Sequence, residues 1–192
     1  MKDKRVVIFD CFGLFASDAF SAYFSTHYGD KGLAIKNHYC EMGDHGDLTY
    51  EDMMLLFEKE LGLDPIAFNK EIDSLHHIDH EMLSLAAKLK EHHTVILLSN
   101  VMNGVLDHVF EGTEFFECFD YIIESCEIHM AKPDRPIYDY ALSLLDFKPK
   151  TALFFDDNPR NLKGALEAGM EGYVYENIEQ TKQILREKGF IL

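Results

Sequence analysis

The sequence predicts an α/β protein: a parallel β-sheet core interrupted early by an inserted helical segment. Three observations lead there. Five short β-rich apolar runs recur, at 5–9 (RVVIF), 94–98 (TVILL), 121–124 (YIIE), 152–155 (ALFF) and 172–175 (GYVY). They are continuous rather than alternating, as strands covered on both faces of a parallel sheet should be. From 80 onward, helical patterns alternate with these runs, giving a βαβ rhythm. Between residues 16 and 79 the rhythm is absent and the pattern reads as helices with no convincing strand.

The elements follow in order. After the first run, residues 18–28 place Phe20, Tyr23, Phe24 and Tyr28 at near-helical spacing, an aromatic stripe whose expected role is packing. Thr49 followed by Asp52 is a possible capping box for a helix over 49–61. Further helices are expected at 80–90 (HEMLSLAAKLK), at 103–110, at 136–145 with Pro136 in its first turn, and at 158–168, closed by Gly169. At 192 residues and 47% hydrophobic content, the chain suits one sizeable core plus a modest insert. The expected division is a core of 1–15 and 80–192 with a helical cap of 16–79. No internal repeat, low-complexity stretch or Pro/Gly/Ser-rich linker appears.

Charge narrows the function classes. Acidic residues outnumber basic ones by 34 to 18, a formal charge of −16, which repels nucleic-acid phosphates and anionic membranes. Neither nucleic acid nor a membrane surface is expected as a partner, and an anionic substrate would need a local cationic site. No run reaches the roughly 18 apolar residues of a membrane span. Cys11, Cys40, Cys118 and Cys126 lie far apart, without a CxxC pair or a secreted-scaffold spacing. The opening MKDKRVVIFDCF has no signal-peptide pattern. The expectation is a cytoplasmic protein with reduced thiols.

The chemistry gathers at strand ends, where open α/β sheets place their ligands. Asp10 follows the first run, Ser99 and Asn100 the second, and Asp156 and Asp157 the fourth. A carboxylate at the end of a buried strand costs desolvation unless it is paired or bound to metal, so two such ends suggest a cation. The alternative is that these are helix caps, which fits Asp156 or Asn158 best. Asp10 and Asp157 are hard oxygen ligands, suited to Mg²⁺ rather than zinc. Lys132 sits in the loop AKPDRPIY after the third run, where its ammonium could neutralise a carboxylate and a phosphoryl group.

Four segments in order, FDCFG, LLSN, AKPDRPIY and FFDDNPRNLKGALEAG, resemble the four motifs of the haloacid dehalogenase superfamily. The resemblance covers 1–15 and 80–192, and it is nearest to the small-cap phosphatase-like branch that includes sugar-phosphate phosphatases and the N-terminal domain of soluble epoxide hydrolase. It implies a Rossmann-like parallel sheet core with a small helical cap that closes over the site. It also implies a Mg²⁺-dependent phosphatase acting on a small phosphorylated metabolite. In that scheme Asp10 is the nucleophile and forms an aspartyl-phosphate. Mg²⁺ is held by Asp10, the backbone carbonyl of Phe12 and Asp157, with Asp156 as an orienting acid. Ser99, with Asn100 beside it, binds the phosphoryl oxygens, Lys132 stabilises their charge, and Gly13 permits a sharp turn or close approach behind the nucleophile.

The pattern breaks at one position. Phosphatases of this superfamily usually carry a second aspartate two residues after the nucleophile, to protonate the leaving oxygen and then activate water. Here Phe12 stands there, and a phenyl ring transfers no proton. The superfamily's dehalogenases carry an aromatic residue at that place and displace halide without metal, so 2-haloacid dehalogenation is the rival reading. A binding or regulatory module without turnover is a third. Among other features, His76 and His80 stand at i and i+4, a metal-binding spacing on a helix. The simpler reading is a cap-to-core hinge with exposed histidines. Cys11 should turn away from Asp10 by strand alternation and pack. The run MGDHGDLTYED, with Gly43 and Gly46, reads as a cap loop that contributes to specificity.

Overall fold

The protein is described from a computed structural model covering residues 4–192. Its centre is a five-stranded, all-parallel sheet of β1 (Arg5–Phe9), β2 (Thr94–Ser99), β3 (Tyr121–Glu124), β4 (Thr151–Asp156) and β5 (Glu171–Val174), ordered β3-β2-β1-β4-β5. The order reverses at β1, between β2 and β4. Their carboxyl ends therefore flank the end of β1, the crevice where open α/β sheets bind ligands. In register, Phe9 of β1 pairs with Leu97 of β2 and Phe155 of β4, which brings residues 10, 99 and 156 to the same edge.

Alternation along the central strands splits the core into two layers. Val7, Phe9, Val95, Leu97, Leu153 and Phe155 face one side, where α4 (His80–His92) and α9 (Ile178–Glu187) cover them through Met82, Leu85, Ala86, Leu89 and Leu185. Val6, Ile8, Ile96, Leu98 and Phe154 face the other, against α7 (Arg135–Ser143) and α8 (Leu162–Glu167) through Ile137, Tyr138, Ala141 and Ala165. Central strands β1 and β2 are buried almost throughout, as their continuous apolar runs require. The edge strands β3 and β5 are partly exposed, so for them the expectation of double coverage fails: an edge strand has a neighbour on one side only. The short α5 (Val105–Val109) and α6 (Ser125–Ile128) follow β2 and β3. The helix expected over 158–168 is instead a 3₁₀ turn, Pro159–Asn161, followed by α8, because Pro159 and the cap at Asn158 open it tightly.

Between β1 and α4 lie three helices, α1 (Ala19–Asp44), α2 (Tyr50–Leu61) and α3 (Pro65–Leu75), and no strand of the sheet. The stripe at 20–28 continues far beyond its expected end, through a break at Gly29 whose φ of 58° interrupts the helical dihedrals. Tyr23 and Phe24 pack with Phe57 and Phe68 in a hydrophobic cluster separate from the two sheet layers, consistent with the packing role expected of them. Thr49 caps α2: its hydroxyl accepts from the Asp52 N–H and donates to the Asp52 carboxylate, rather than completing a reciprocal box. The two chain crossings into and out of this region are bonded together. Ser17 N–H donates to His77 O at 3.0 Å, and Asp79 N–H donates to Phe15 O at 2.8 Å. Among the described residues, no helix is long and apolar enough to cross a membrane.

Candidate active site

The first strand leads directly into Asp10, whose N–H donates to Phe155 O at 2.9 Å and so continues the sheet one residue further. The residue is buried at 8% exposure, and its carboxylate accepts two bonds on the same oxygen, Oδ1: from Cys11 N–H at 2.7 Å and from Lys132 Nζ at 2.6 Å. Oδ2 receives no donor among the described residues, which leaves one oxygen for an electrophile or a cation. Cys11 packs into the sheet core, fully buried, as alternation requires. Burial pushes its thiol well above the ordinary range, aided by the Asp10 charge, so it is no thiolate nucleophile.

Lys132 is the hub. Its buried ammonium also donates to Asp156 Oδ2 at 2.8 Å, bridging the ends of β1 and β4. Burial disfavours that charge, but Asp10 and Asp156 together more than offset it and raise the lysine, so it stays protonated. Burial in turn raises the Asp10 carboxyl, with Lys132 pulling it back down. The loop is held by Asn100, whose side-chain amide donates to Lys132 O at 2.9 Å and whose carbonyl accepts Lys132 N–H at 2.8 Å. Asn100 was expected beside the phosphoryl oxygens. It lines the cleft, but both ends of its amide are engaged in placing the lysine.

Asp156 is fully buried and saturated. Besides Lys132 it accepts Asn158 N–H at 2.8 Å and both contacts of Asn161 Nδ2, at 3.0 and 2.9 Å. Asn158 meanwhile caps the following turn by accepting Arg160 N–H, so the helix-cap reading of this segment and the site reading are both satisfied, by different residues. Asn161 was not singled out from sequence. Its signal is its place five residues after Asp156 on the first helical turn, which points it back at the strand end.

Asp157 is exposed toward the cleft and lies against Gly13. Gly13 has φ +84°, and a Cβ there would sit 2.3 Å from Asp157 Oδ2. The turn expected at this glycine and the close approach are both present. Carboxylate oxygens of Asp10, Asp156 and Asp157 lie within 4.8 Å of one another. Three carboxylates face one ammonium, and the donor set is all oxygen, which suits a hard divalent cation. At the end of β2, the Ser99 hydroxyl is buried and has no hydrogen-bond partner among the described residues. An orphaned hydroxyl at a strand end suits an absent anionic ligand.

Asp10, Asn100, Lys132 and Asp157 line a cleft of about 970 Å³, roofed by residues of α1, α3 and the loop after β2, and Ser99 and Asp156 are buried behind its wall. Phe12 lines it, half-buried. The histidine pattern is resolved differently from the metal spacing: α3 ends at Leu75 and α4 begins at His80, so His76 and His80 share no helix. His77 and His80 are exposed, whereas His76 turns into the cleft with a buried Nδ1 that has no partner among the described residues, and burial lowers its basicity.

The sequence model of the haloacid dehalogenase-like hydrolases matches residues 4–169. Among curated proteins, the chain is 40% identical over 74 residues to bifunctional epoxide hydrolase 2 of Mus musculus, covering 38% of this chain and 13% of that protein. It is 34% identical over 117 residues to the Rattus norvegicus protein of the same name, covering 57% and 20%. The chain thus spans a fifth or less of these relatives. Among solved structures, a HAD family enzyme from Bacteroides thetaiotaomicron has a TM-score of 0.77 at 21% identity, covering 97% of this chain and 100% of that one. Its complex with magnesium and inorganic phosphate scores 0.72 at 22% identity, covering 90% and 94%. The L-2-haloacid dehalogenase of Xanthobacter autotrophicus with chloropropionic acid covalently bound scores 0.62 at 17% identity, covering 100% and 85%. At these identities the likeness is one of fold. The family match across most of the chain, on a sheet whose strand ends carry the acidic cluster, means that this protein belongs to the haloacid dehalogenase-like hydrolases and is an enzyme of that family.

Proposed function

We propose that the chain is a magnesium-dependent phosphatase of small phosphomonoesters that works through an aspartyl-phosphate on Asp10. The observation that carries this reading is the cluster of Asp10, Asp156 and Asp157 with Lys132 wedged between the first two. Asp10, Asp157 and the backbone carbonyl of Phe12 would hold Mg²⁺, which supplies charge neutralisation on the phosphoryl oxygens. Asp10 then attacks phosphorus through the oxygen that carries no protein donor. Lys132 neutralises the transferred group, with Asp156, Asn161 and Asn100 fixing where its ammonium points. Ser99 gives its unpartnered hydroxyl to a phosphoryl oxygen. The helices of 16–79 form a cap that closes the cleft and excludes water. That a Bacteroides enzyme of this fold, overlapping 90% of this chain, forms a complex with magnesium and inorganic phosphate supports a metal and a phosphoryl group as the ligands.

One observation favours a second reading. Phe12 puts an aromatic ring in the cleft where a phosphatase would hold its proton-transfer carboxylate, and the dehalogenase fold overlaps this chain throughout. In that chemistry Asp10 displaces halide from carbon, and no metal is needed. The acidic cluster weighs against it, because three carboxylates around the single Lys132 ammonium leave the site net negative without a metal, which repels a haloacid's own carboxylate. The experiment is a screen of phosphomonoesters and 2-haloacids with Mg²⁺ or EDTA, run beside Asp10→Asn. Magnesium-dependent phosphate release that Asp10→Asn abolishes is the expected result. Halide release that survives EDTA would overturn it.

A further inference from the structure

A phosphatase that lacks a carboxylate at position 12 still has to protonate its leaving group, and Asp44 is placed to do so. This carboxyl sits in the last turn of α1 and lines the same cleft as Asp10 and Lys132, near enough to feel the lysine's charge. Its position is fixed by the core. Buried Gly43 packs against Met102, just after β2, and His45 O accepts from His129 Nδ1 at 2.7 Å, beside the loop that carries Lys132. The end of α1 is therefore docked on the core next to the site. A carboxylate there is unfavourable for folding: it is half-buried, and it lies at the negative end of the helix dipole with no basic residue in the last turn. Groups so placed cluster at functional sites.

Resting on the phosphatase reading, we propose that the Asp44 carboxyl is the general acid and base of the reaction, doing from the cap what Phe12 cannot do from the strand end. In the first step Asp10 attacks phosphorus and the bond to the ester oxygen breaks. The Asp44 proton passes to that oxygen, so that the alcohol leaves neutral and Asp44 becomes a carboxylate. In the second step the carboxylate takes a proton from water as the water oxygen attacks phosphorus. The phosphorus–Asp10 bond breaks, releasing inorganic phosphate and restoring both aspartates. Burial pushes Asp44 up to about 6, with Lys36, Lys132 and His45 pulling it down and Glu41 pushing it up. The thiols of Cys40 and Cys126, which also face it, are themselves raised, to about 12 and about 11, and stay neutral. The carboxyl thus passes between acid and base near neutrality.

Leaving-group chemistry provides the test. p-Nitrophenolate departs without a proton, whereas an alkoxide does not. Asp44→Asn is expected to lower kcat/KM for alkyl phosphomonoesters such as glycerol phosphate by about 10²- to 10⁴-fold. For p-nitrophenyl phosphate, kcat/KM should stay within about threefold while turnover slows after a burst of p-nitrophenol, because the second step has lost its base. In the unmodified enzyme, kcat/KM for the alkyl esters should fall as pH rises through about 6, and that limb should vanish in Asp44→Asn. Equal losses on both ester classes, or no loss on either, overturn the assignment. So does an enzyme that turns over p-nitrophenyl phosphate and no alkyl ester. Failure of the underlying reading looks different: the unmodified enzyme then releases no phosphate from either class with Mg²⁺.

Discussion

Gly13→Ala separates the metal site from mere folding. The substitution has two costs of different kind. A side chain at φ +84° carries backbone strain of about 1–3 kcal/mol. For a chain of this length that lowers Tm by about 2–12 °C, at roughly 2–4 °C per kcal/mol. The second cost is steric: the new methyl would lie 2.3 Å from Asp157 Oδ2 and 2.6 Å from its Cγ, so the carboxylate must leave its place in the acidic cluster. Gly62→Ala is the control, since Gly62 at φ +66° carries similar strain with nothing within 4 Å. The assay is thermal unfolding with and without Mg²⁺. At 100-fold excess over Kd, a single ion stabilises the native state by about 2.7 kcal/mol, a rise of about 5–11 °C. The unmodified protein and Gly62→Ala should both show that rise, and Gly13→Ala should show little of it. If Gly13→Ala retains the full magnesium-induced rise, Asp157 is not a ligand of the ion and the account of this site is wrong.

The remaining predictions probe the neighbours. Lys132→Met leaves Asp10 and Asp156 buried without their cation, which should cost about 3–5 kcal/mol in urea unfolding. Adding Asp10→Asn to it should recover part of that loss, and strict additivity would contradict the pairing. Ser99→Ala should leave stability unchanged or raise it by up to about 1 kcal/mol, because the hydroxyl it removes is buried with no partner among the described residues. Its affinity for inorganic phosphate, read by calorimetry, should fall. Asn100→Ala removes both bonds that hold the Lys132 backbone, so kcat should drop more than KM rises, and a pure KM effect would argue for direct substrate contact. Glu124 is raised to about 7, by burial first and then by Glu127 and Asp107. The native state therefore binds a proton more tightly than the unfolded chain. That stability is fully present below about 4.5 and is lost as pH rises through about 7. Glu124→Gln should flatten the decline in Tm over that window.

Much of the site was legible because it is written at strand ends. The buried runs 5–9, 94–98 and 152–155 locate three strands, and the polar residues that follow them necessarily meet at the sheet's carboxyl edge, whatever the detailed packing. Gly13 was legible for a similar reason, since a glycine behind a buried carboxylate is best explained by backbone geometry. Asn100 shows where sequence reasoning stops: adjacency to Ser99 suggested a shared ligand, but the amide's partner is the backbone of a loop 32 residues away. Asn161 was marked only by its spacing of five residues from Asp156, and Asp44 reaches the cleft across space with no local pattern to mark it. Asp44 lies in a run legible only as a cap loop, because its relation to Lys132 depends on a 26-residue helix turning at Gly29 and docking its far end on the core. His76 is similar: the i, i+4 spacing held meaning only for a continuous helix, and the chain breaks between α3 and α4.

Both hydrolase readings use Asp10 as nucleophile and differ in the atom that water attacks next. A single turnover in water labelled with heavy oxygen, with enzyme in excess and Mg²⁺ present, distinguishes them. Water attacking phosphorus leaves the label in the released phosphate and none in the peptide carrying Asp10, which is the result expected of an aspartyl-phosphate. Water attacking the acyl carbon of an Asp10 ester puts the label into Asp10 itself. Label in that peptide, accompanied by halide release that EDTA leaves intact, would contradict the account.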